Sequence, residues 1–291
     1  MKYASRTIAR TRSAFTLLEL LVVIVLIVVA AAFVLPTIFK NNEVKYRIQC
    51  AANLKQIGLA IQLYSNENKG SYPRTNYVKG AAPTFSNDTS DGGTKRDPFG
   101  NDGLPGKVAD NDITAAMFLL VRTQDITAEV FVCPDTDQER DVYGRSPGAS
   151  AQNKTSFTDW RKNLSYSFAN VYPDEEAIKL GYKMNATTGA EIAILADMNP
   201  GVGDNYDVTL PMERSPSADL KKANSRNHKG AGQNVLYGDG HVEFQQTAFC
   251  GQKRDNIYTV SGSDDGSKTT SKTVIGIPKW SGDSVLMPAY K

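Results

Sequence analysis

The chain has 291 residues, of which 41% are hydrophobic, and its formal net charge is +2. Four positive residues precede residue 15, and without them the charge falls to −2: Lys2, Arg6, Arg10 and Arg12. A charge so close to neutral argues against a nucleic-acid partner. The sequence contains no Gly-x-Ser-x-Gly, His-Glu-x-x-His or phosphate-loop motif, so we do not expect the protein to be an enzyme.

The first predicted element is a helix that crosses a membrane. Residues 15–39 are apolar with three exceptions, Thr16, Glu19 and Thr37. About 20 helical residues span the roughly 30 Å hydrocarbon core of a bilayer. Because cations but no acidic residue precede the apolar run, the positive-inside rule predicts a cytoplasmic N-terminus and an exported body.

Three interpretations of this segment are open. A secretory signal would be cut near the small residues 30–32, but the apolar run exceeds the 7–15 residues usual in such signals. A signal anchor would remain unprocessed. The third interpretation, a cut between Ala14 and Phe15, depends on Glu19, because an acidic residue in a membrane helix is costly and normally needs a partner. The cut would create an α-amino group at Phe15 that could pair with Glu19 of a neighbouring subunit and so direct assembly.

The residues around this point carry a family resemblance. Residues 14–24, AFTLLELLVVI, resemble the processing and methylation motif of type IV pilins and type II secretion pseudopilins. The resemblance implies that a prepilin peptidase removes the cytoplasmic leader 1–14 and methylates Phe15. It also implies that Glu19 serves assembly and that Pro36 kinks the helix. The family prefers Gly before the cut, where this chain has Ala14.

A helical pattern continues beyond the apolar run. Apolar residues recur at spacings of three and four: Val44, Ile48, Ala51, Leu54, Ile57, Ile61 and Tyr64. Asn68-Lys69-Gly70 is a typical stop signal. We therefore predict one helix with a transmembrane half, 15–39, and an amphipathic half, 40–67. The amphipathic half should pack on an antiparallel sheet of the exported body, 68–291, rather than form an independent coiled coil.

Two further segments resemble a large subfamily of these proteins that is common in planctomycete-like bacteria. Residues 50–60, followed by Tyr64 and Tyr72-Pro73, are similar to its helix. Residues 228–242 are similar to its C-terminal signature, a His followed after nine residues by Asp-Gly, although ten residues separate His228 from Asp239 here. Together the resemblances imply an α+β, type IV pilin-like fold with long loops.

The body is predicted to contain short elements between loops. Residues 68–110 are rich in Gly, Pro, Asn and Asp and indicate a surface loop. We predict a helix at Asp112–Val121, strands at Glu129–Cys133, Leu164–Ala169 and Glu191–Ala196, and a hairpin of 234–237 and 241–244 around Gly238-Asp239-Gly240. An Asp-Gly turn suits the positive φ that tight hairpins require.

The signature residues have a structural and a metal-binding interpretation. His228, Asp239 and His241 could bind a transition metal, and Asp197 or Asp239 could join a calcium site, although no calcium loop can be assembled. A contact with a partner is a third possibility. We favour the structural interpretation, in which Asp239, Gly240 and His241 build the hairpin and His228 bonds a backbone group to hold the loop 224–233. No cofactor is therefore expected.

Three cysteines lie far apart in the sequence, without a Cys-x-x-Cys pair: Cys50, Cys133 and Cys250. In an exported body, the expected arrangement is one disulfide and one free thiol. The sequence leaves the pairing open, and three unpaired, partly buried thiols are the alternative.

The expected function is structural. The resemblance implies a subunit of the inner membrane with one membrane span, its N-terminus in the cytoplasm and its body in the periplasm. Its partners would be the prepilin peptidase, other pilin or pseudopilin subunits and the inner-membrane assembly platform, and its product a type IV pilus or a type II secretion pseudopilus. The alternative is a membrane-tethered binding module that does not polymerise.

Overall fold

The computed structural model describes residues 16–89, 108–143, 150–202, 214–261 and 276–290, except for the side chains of residues 34–41. The chain separates into two compact units, Met1–Val44 and Lys45–Lys291. The cut predicted between Ala14 and Phe15 lies outside the described residues. So does the side chain of Pro36, and the kink there stays a prediction.

The first helix, α1 (Leu17–Glu67), contributes residues to both units. At its start, the Thr16 backbone N–H donates to Glu19 Oε2 at 2.9 Å, and the Glu19 N–H donates to Thr16 Oγ1 at 3.2 Å. This reciprocal pair is a capping box, which satisfies two amide groups that the first turn of a helix leaves without partners. The single predicted helix is therefore present, and Thr16 marks its beginning.

In the described part of the chain, no helix is both long and apolar enough to cross a membrane.

The unit Lys45–Lys291 is built on a five-stranded antiparallel sheet. Its strands are β1 (Tyr166–Ala169), β2 (Ala193–Asp197), β3 (Gln233–Tyr237), β4 (Val242–Gln245) and β5 (Leu286–Met287). Their order in the sheet is β4-β3-β2-β1-β5, and every neighbouring pair is antiparallel. The predicted α+β class with an antiparallel sheet is confirmed, and so are the predicted hairpin and the two predicted strands that became β1 and β2.

Shorter helices lie between α1 and β1 and in the connections between strands. They are α2 (Ile113–Thr123), α3 (Trp160–Asn163), α4 (Glu175–Lys179) and α5 (Ser217–Leu220), with 3-10 helices at Ala128–Phe131, Ala151–Asn153, Lys221–Ala223 and Gln252–Arg254. The helix predicted from Asp112 is confirmed as α2, and Asp112 is its N-cap, accepting the Ala115 N–H at 2.8 Å.

The strand predicted at Glu129–Cys133 is wrong. Its first residues form a 3-10 helix, and its carbonyl groups bond to groups outside any ladder. The Phe131 carbonyl accepts the Ser165 N–H at 2.9 Å, and the Val132 carbonyl accepts the Asn53 side-chain amide at 3.0 Å. In residues 129–133, tertiary contacts with α1 and with the residue just before β1 outweigh the strand propensity of the sequence.

The sheet separates two apolar clusters. On one face, α1 packs Cys50, Leu54, Ile57 and Ile61 into a cluster with Phe168, Leu195, Leu236 and Met287. The other face is lined by small residues, Ala169, Ala193 and Ala196, and is covered by Ile257 and Tyr258. Helix and sheet approach closely at Gly58, where a Cβ would lie 2.8 Å from Leu236 Cδ2. The predicted packing of the amphipathic segment on the sheet is therefore observed from Lys45 onward.

Candidate functional site

The hairpin between β3 and β4 contains the predicted Asp-Gly signature. Asp239 Oδ1 accepts the His241 N–H at 3.0 Å and lies 2.5 Å from His241 Nδ1. These hydrogen bonds from His241 hold the pKa of Asp239 below its usual value. Gly240 follows with a φ of 85°, a left-handed conformation that glycine adopts without strain. Asp239, Gly240 and His241 thus build the turn locally, as the structural interpretation requires.

The same turn also contacts α1. The Lys55 ammonium donates to the Gly240 carbonyl at 2.6 Å, and a Cβ at Gly240 would lie 2.8 Å from Gln62 Nε2. A Cβ at Gly238 would lie 2.5 Å from the Gly189 carbonyl oxygen. Each glycine of Gly-Asp-Gly therefore permits a close approach, and the hairpin tip helps to fix the helix on the sheet. Sequence reasoning predicted the turn but not this contact.

His228 lies in a different place, buried at 3% exposure on the α1 side of the sheet. Its Nδ1 is 3.4 Å from Asp135 Oδ2, and its Nε2 is 3.2 Å from Asp197 Oδ2 and 3.1 Å from Asn234 Nδ2. The predicted hydrogen bond from the His228 ring to a backbone group is therefore wrong, because the ring bonds side chains. Nor does His228 share a site with Asp239 and His241.

The charge of His228 reflects its two acidic neighbours. Burial opposes the charged ring, but the hydrogen bonds and negative charges of Asp197 and Asp135 outweigh it and raise the pKa of His228. Two carboxylates from distant parts of the chain thus surround one imidazole.

Asp197, at the end of β2, is fully buried and held by several donors. Its Oδ2 accepts the Asn234 backbone N–H at 2.6 Å, and its Oδ1 accepts the Asn227 side-chain amide at 3.2 Å. The Tyr258 hydroxyl donates to the backbone carbonyl of Asp197 at 2.8 Å. The hydrogen bonds from Asn234 and Asn227 compensate a carboxylate that would otherwise be costly to bury.

A disulfide between Cys50 and Cys133 lies beside Asp197 and His228, and Cys250 is free. The pairing that the sequence left open is therefore resolved, and the alternative of three unpaired thiols is wrong. Burial raises the pKa of Cys250 to about 12, which makes it an unreactive thiol. The sulfur atoms of Cys50 and Cys133 and one donor atom each from Asp197 and His228 all lie within 4.8 Å of one another.

At the other predicted site, Glu19 interacts with its own chain through the capping box with Thr16. Ala14 and Phe15 lie outside the described residues. The sequence contains the capping signal, Thr-x-x-Glu, but the sequence analysis predicted only an intermolecular partner for Glu19.

The buried cluster of Cys50, Cys133, Asp197 and His228 is inaccessible to a substrate, because each of these residues is at most 3% exposed. It can link α1 to the body, hold charge, or bind a small ion. Comparison of the chain with family models, with curated proteins and with solved structures finds no match in any of the three.

Proposed function

We propose that this chain is a prepilin-like subunit. A prepilin peptidase removes residues 1–14 and methylates Phe15, residues 15–39 hold the chain in the inner membrane, and subunits assemble through this segment into a type IV pilus or type II secretion pseudopilus. The observation that carries the proposal is the motif at residues 14–24, which stands at the start of a helix of 51 residues.

The way in which α1 is attached to the body supports this function. From Lys45 onward the helix is held by the Cys50–Cys133 disulfide, by the Lys55 bond to Gly240 and by the close approach at Gly58. In the proposed filament the subunits pack through their N-terminal helices, so any load on the filament would pass from the helix into the body. A covalent bond and a close-packed interface at the same helix suit that requirement. The proposed fold is accordingly type IV pilin-like.

The experiment on processing uses the full-length chain, expressed with and without a prepilin peptidase. We expect the mature protein to begin at N-methyl-Phe15 only when the peptidase is present, and Ala14→Gly to be cut faster. Retention of Met1 in the presence of the peptidase would contradict processing. A new N-terminus near residue 33 would instead indicate a secretory signal.

The experiment on assembly separates the two roles of Glu19. Glu19→Gln keeps a side-chain oxygen that can accept the Thr16 N–H, so it retains the capping box but loses the negative charge. Glu19→Ala loses both. We expect both variants to insert in the membrane and neither to form filaments in electron micrographs. Normal filaments from Glu19→Gln would show that Glu19 acts through capping alone. Processed wild-type protein that never forms filaments would favour the tethered binding module.

A further inference from the structure

We propose that the reduced protein has a zinc site, in which Cys50, Cys133, Asp197 and His228 bind one Zn²⁺, and that formation of the Cys50–Cys133 disulfide abolishes it. This inference is independent of the proposed function, since it concerns only the body.

The donor set fits zinc. Two thiolates, one imidazole and one carboxylate suit the borderline-soft Zn²⁺ ion, which favours four ligands in a tetrahedron. Bond lengths of about 2.0–2.3 Å place neighbouring donors roughly 3.3–3.8 Å apart. The four donors here lie within 4.8 Å of one another, so shifts on the order of 1 Å by side chains suffice. Once the sulfur–sulfur bond is broken, the two sulfur atoms separate toward the same spacing.

The surroundings of these ligands resemble the outer shell of a metal site. Asp135 Oδ2 lies 3.4 Å from His228 Nδ1 and favours the tautomer that presents the Nε2 lone pair to the pocket. A carboxylate behind a ligating histidine is the usual arrangement at zinc sites. The Asp197 carboxylate is likewise oriented by Asn234 and Asn227. Two of the four proposed ligands are therefore already positioned by their neighbours.

Burial would make this a closed metal site. Cys50, Cys133 and Asp197 are each 0% exposed and His228 is 3% exposed, so a bound ion would have no open position for a substrate. Closed four-ligand sites are typical of structural zinc. The ion would replace the disulfide as the link between α1 and the segment around Cys133.

The chemistry balances with an external dithiol as reductant. The dithiol gives two electrons and two protons to the Cys50–Cys133 bond and leaves as a disulfide, and the two cysteines become thiols. Zn²⁺ then displaces the two thiol protons, and also the proton on His228 Nε2 when the ring is charged. For reoxidation, an external disulfide accepts two electrons from the thiolates and two protons from water and leaves as two thiols, while the Cys50–Cys133 bond forms and Zn²⁺ is released.

The test uses the full-length chain in detergent. The protein is reduced with a dithiol in mild denaturant, desalted without oxygen, and given Zn²⁺ or Co²⁺; a parallel sample omits the dithiol. We expect about one metal ion per reduced chain, none above background in the oxidised chain, and release of the metal when the disulfide is re-formed. Bound Co²⁺ should show thiolate-to-metal charge transfer and the intense visible bands of a tetrahedral site.

Variants then identify the ligands. Cys250→Ser removes the thiol that is outside the pocket and should leave binding unchanged. His228→Gln should abolish stoichiometric binding. Asp135→Asn, which changes only the neighbour of His228, should weaken the affinity by about 10- to 100-fold.

The wild-type measurements decide the proposal even if a variant fails to fold. It is overturned if the reduced wild type binds no metal, if the oxidised chain binds equally well, or if bound Co²⁺ lacks the thiolate signal. Loss of binding in a folded Cys250→Ser variant would equally overturn it.

Discussion

Removing the disulfide between Cys50 and Cys133 should strongly destabilise the body. The bond closes a loop between residues 83 apart in sequence. The loop entropy that such a cross-link removes from the unfolded chain corresponds to about 4.5 kcal/mol at 25 °C. Globular domains are stable by only about 5–15 kcal/mol, so a variant with both cysteines changed to Ala should lose a large share of its stability.

Urea unfolding of residues 45–291 measures this loss. Trp160 and Trp280 are 2% and 3% exposed, so their fluorescence reports on unfolding. We expect the free energy of unfolding to fall by about 4–5 kcal/mol in the double variant. The dependence of that free energy on urea should also steepen, because an unfolded chain without the cross-link exposes more surface. Cys250→Ala is the matched control and should change stability by less than about 1 kcal/mol, since this cysteine forms no disulfide.

The outcome that refutes this reasoning is a double variant within about 1 kcal/mol of the wild type and with the same urea dependence. That result would mean that packing alone holds α1 on the sheet. A loss of stability without a steeper urea dependence would locate the effect in the native state, in the cavity left by two buried sulfur atoms, rather than in the unfolded chain.

Three further changes test the packing and the buried polar groups. Gly58→Val should cost about 1–3 kcal/mol, because its side chain would collide with Leu236, whereas a Cβ at Gly189 meets nothing within 4 Å and Gly189→Ala should be nearly neutral in the same urea assay. Burial raises the pKa of Asp283 to about 7, although its carboxylate accepts hydrogen bonds from backbone N–H groups. Asp283 therefore keeps its proton in the native state at pH values above about 4, where the unfolded chain has lost it. Stability should therefore decline as pH rises from about 4 through 7, and unfolding curves of Asp283→Asn across this range should show a weaker decline. Asn199→Leu should cost about 2–4 kcal/mol, measured by thermal unfolding, because the Asn199 amide donates to two buried carbonyls at 3.0 and 2.8 Å that would lose their partner. A pH profile of Asp283→Asn identical to that of the wild type, or a neutral Asn199→Leu, would contradict these assignments.

The features predicted from the sequence are those with local signals. A cap at Asp112 begins α2, the spacing of apolar residues extends α1 to Glu67, and Gly-Asp-Gly turns the β3–β4 hairpin. Each of these signals acts over a few residues, so the rest of the fold does not easily override it. The failed strand at Glu129–Cys133 shows the opposite case, since its backbone partners come from α1 and from Ser165.

The buried cluster could not be predicted, because its members meet only after folding. Cys50 and Cys133 are 83 residues apart, and His228 is 93 residues from Asp135, the neighbour on its other side. Asp239 and His241, by contrast, are two residues apart, and this proximity produces only a local hydrogen bond in the hairpin turn. The sequence analysis placed His228 with Asp239 and His241, but the structure places its ring beside Asp135 and Asp197. A histidine buried among acids leaves no pattern along the chain, and only the pairing of strands brings Asp197 beside it.

The capping box changes how Glu19 should be interpreted, but it does not compete with a role in assembly. Both contacts from Thr16, through its backbone N–H and its hydroxyl, go to Glu19 Oε2. A carboxylate has a second oxygen, so Oε1 can accept an α-amino group from another subunit while Oε2 holds the first turn of the helix. Capping would also favour the proposed pairing, because it fixes the rotamer of Glu19 in advance and so reduces the entropy lost when a neighbouring subunit binds. It follows that Thr16→Val, which removes the hydroxyl but leaves the charge and the backbone N–H, should slow assembly without preventing it. If Thr16→Val blocks filaments as completely as Glu19→Gln, the orientation of the Glu19 side chain cannot be separated from its charge in this way. The first turn of α1 itself would then be the assembly contact.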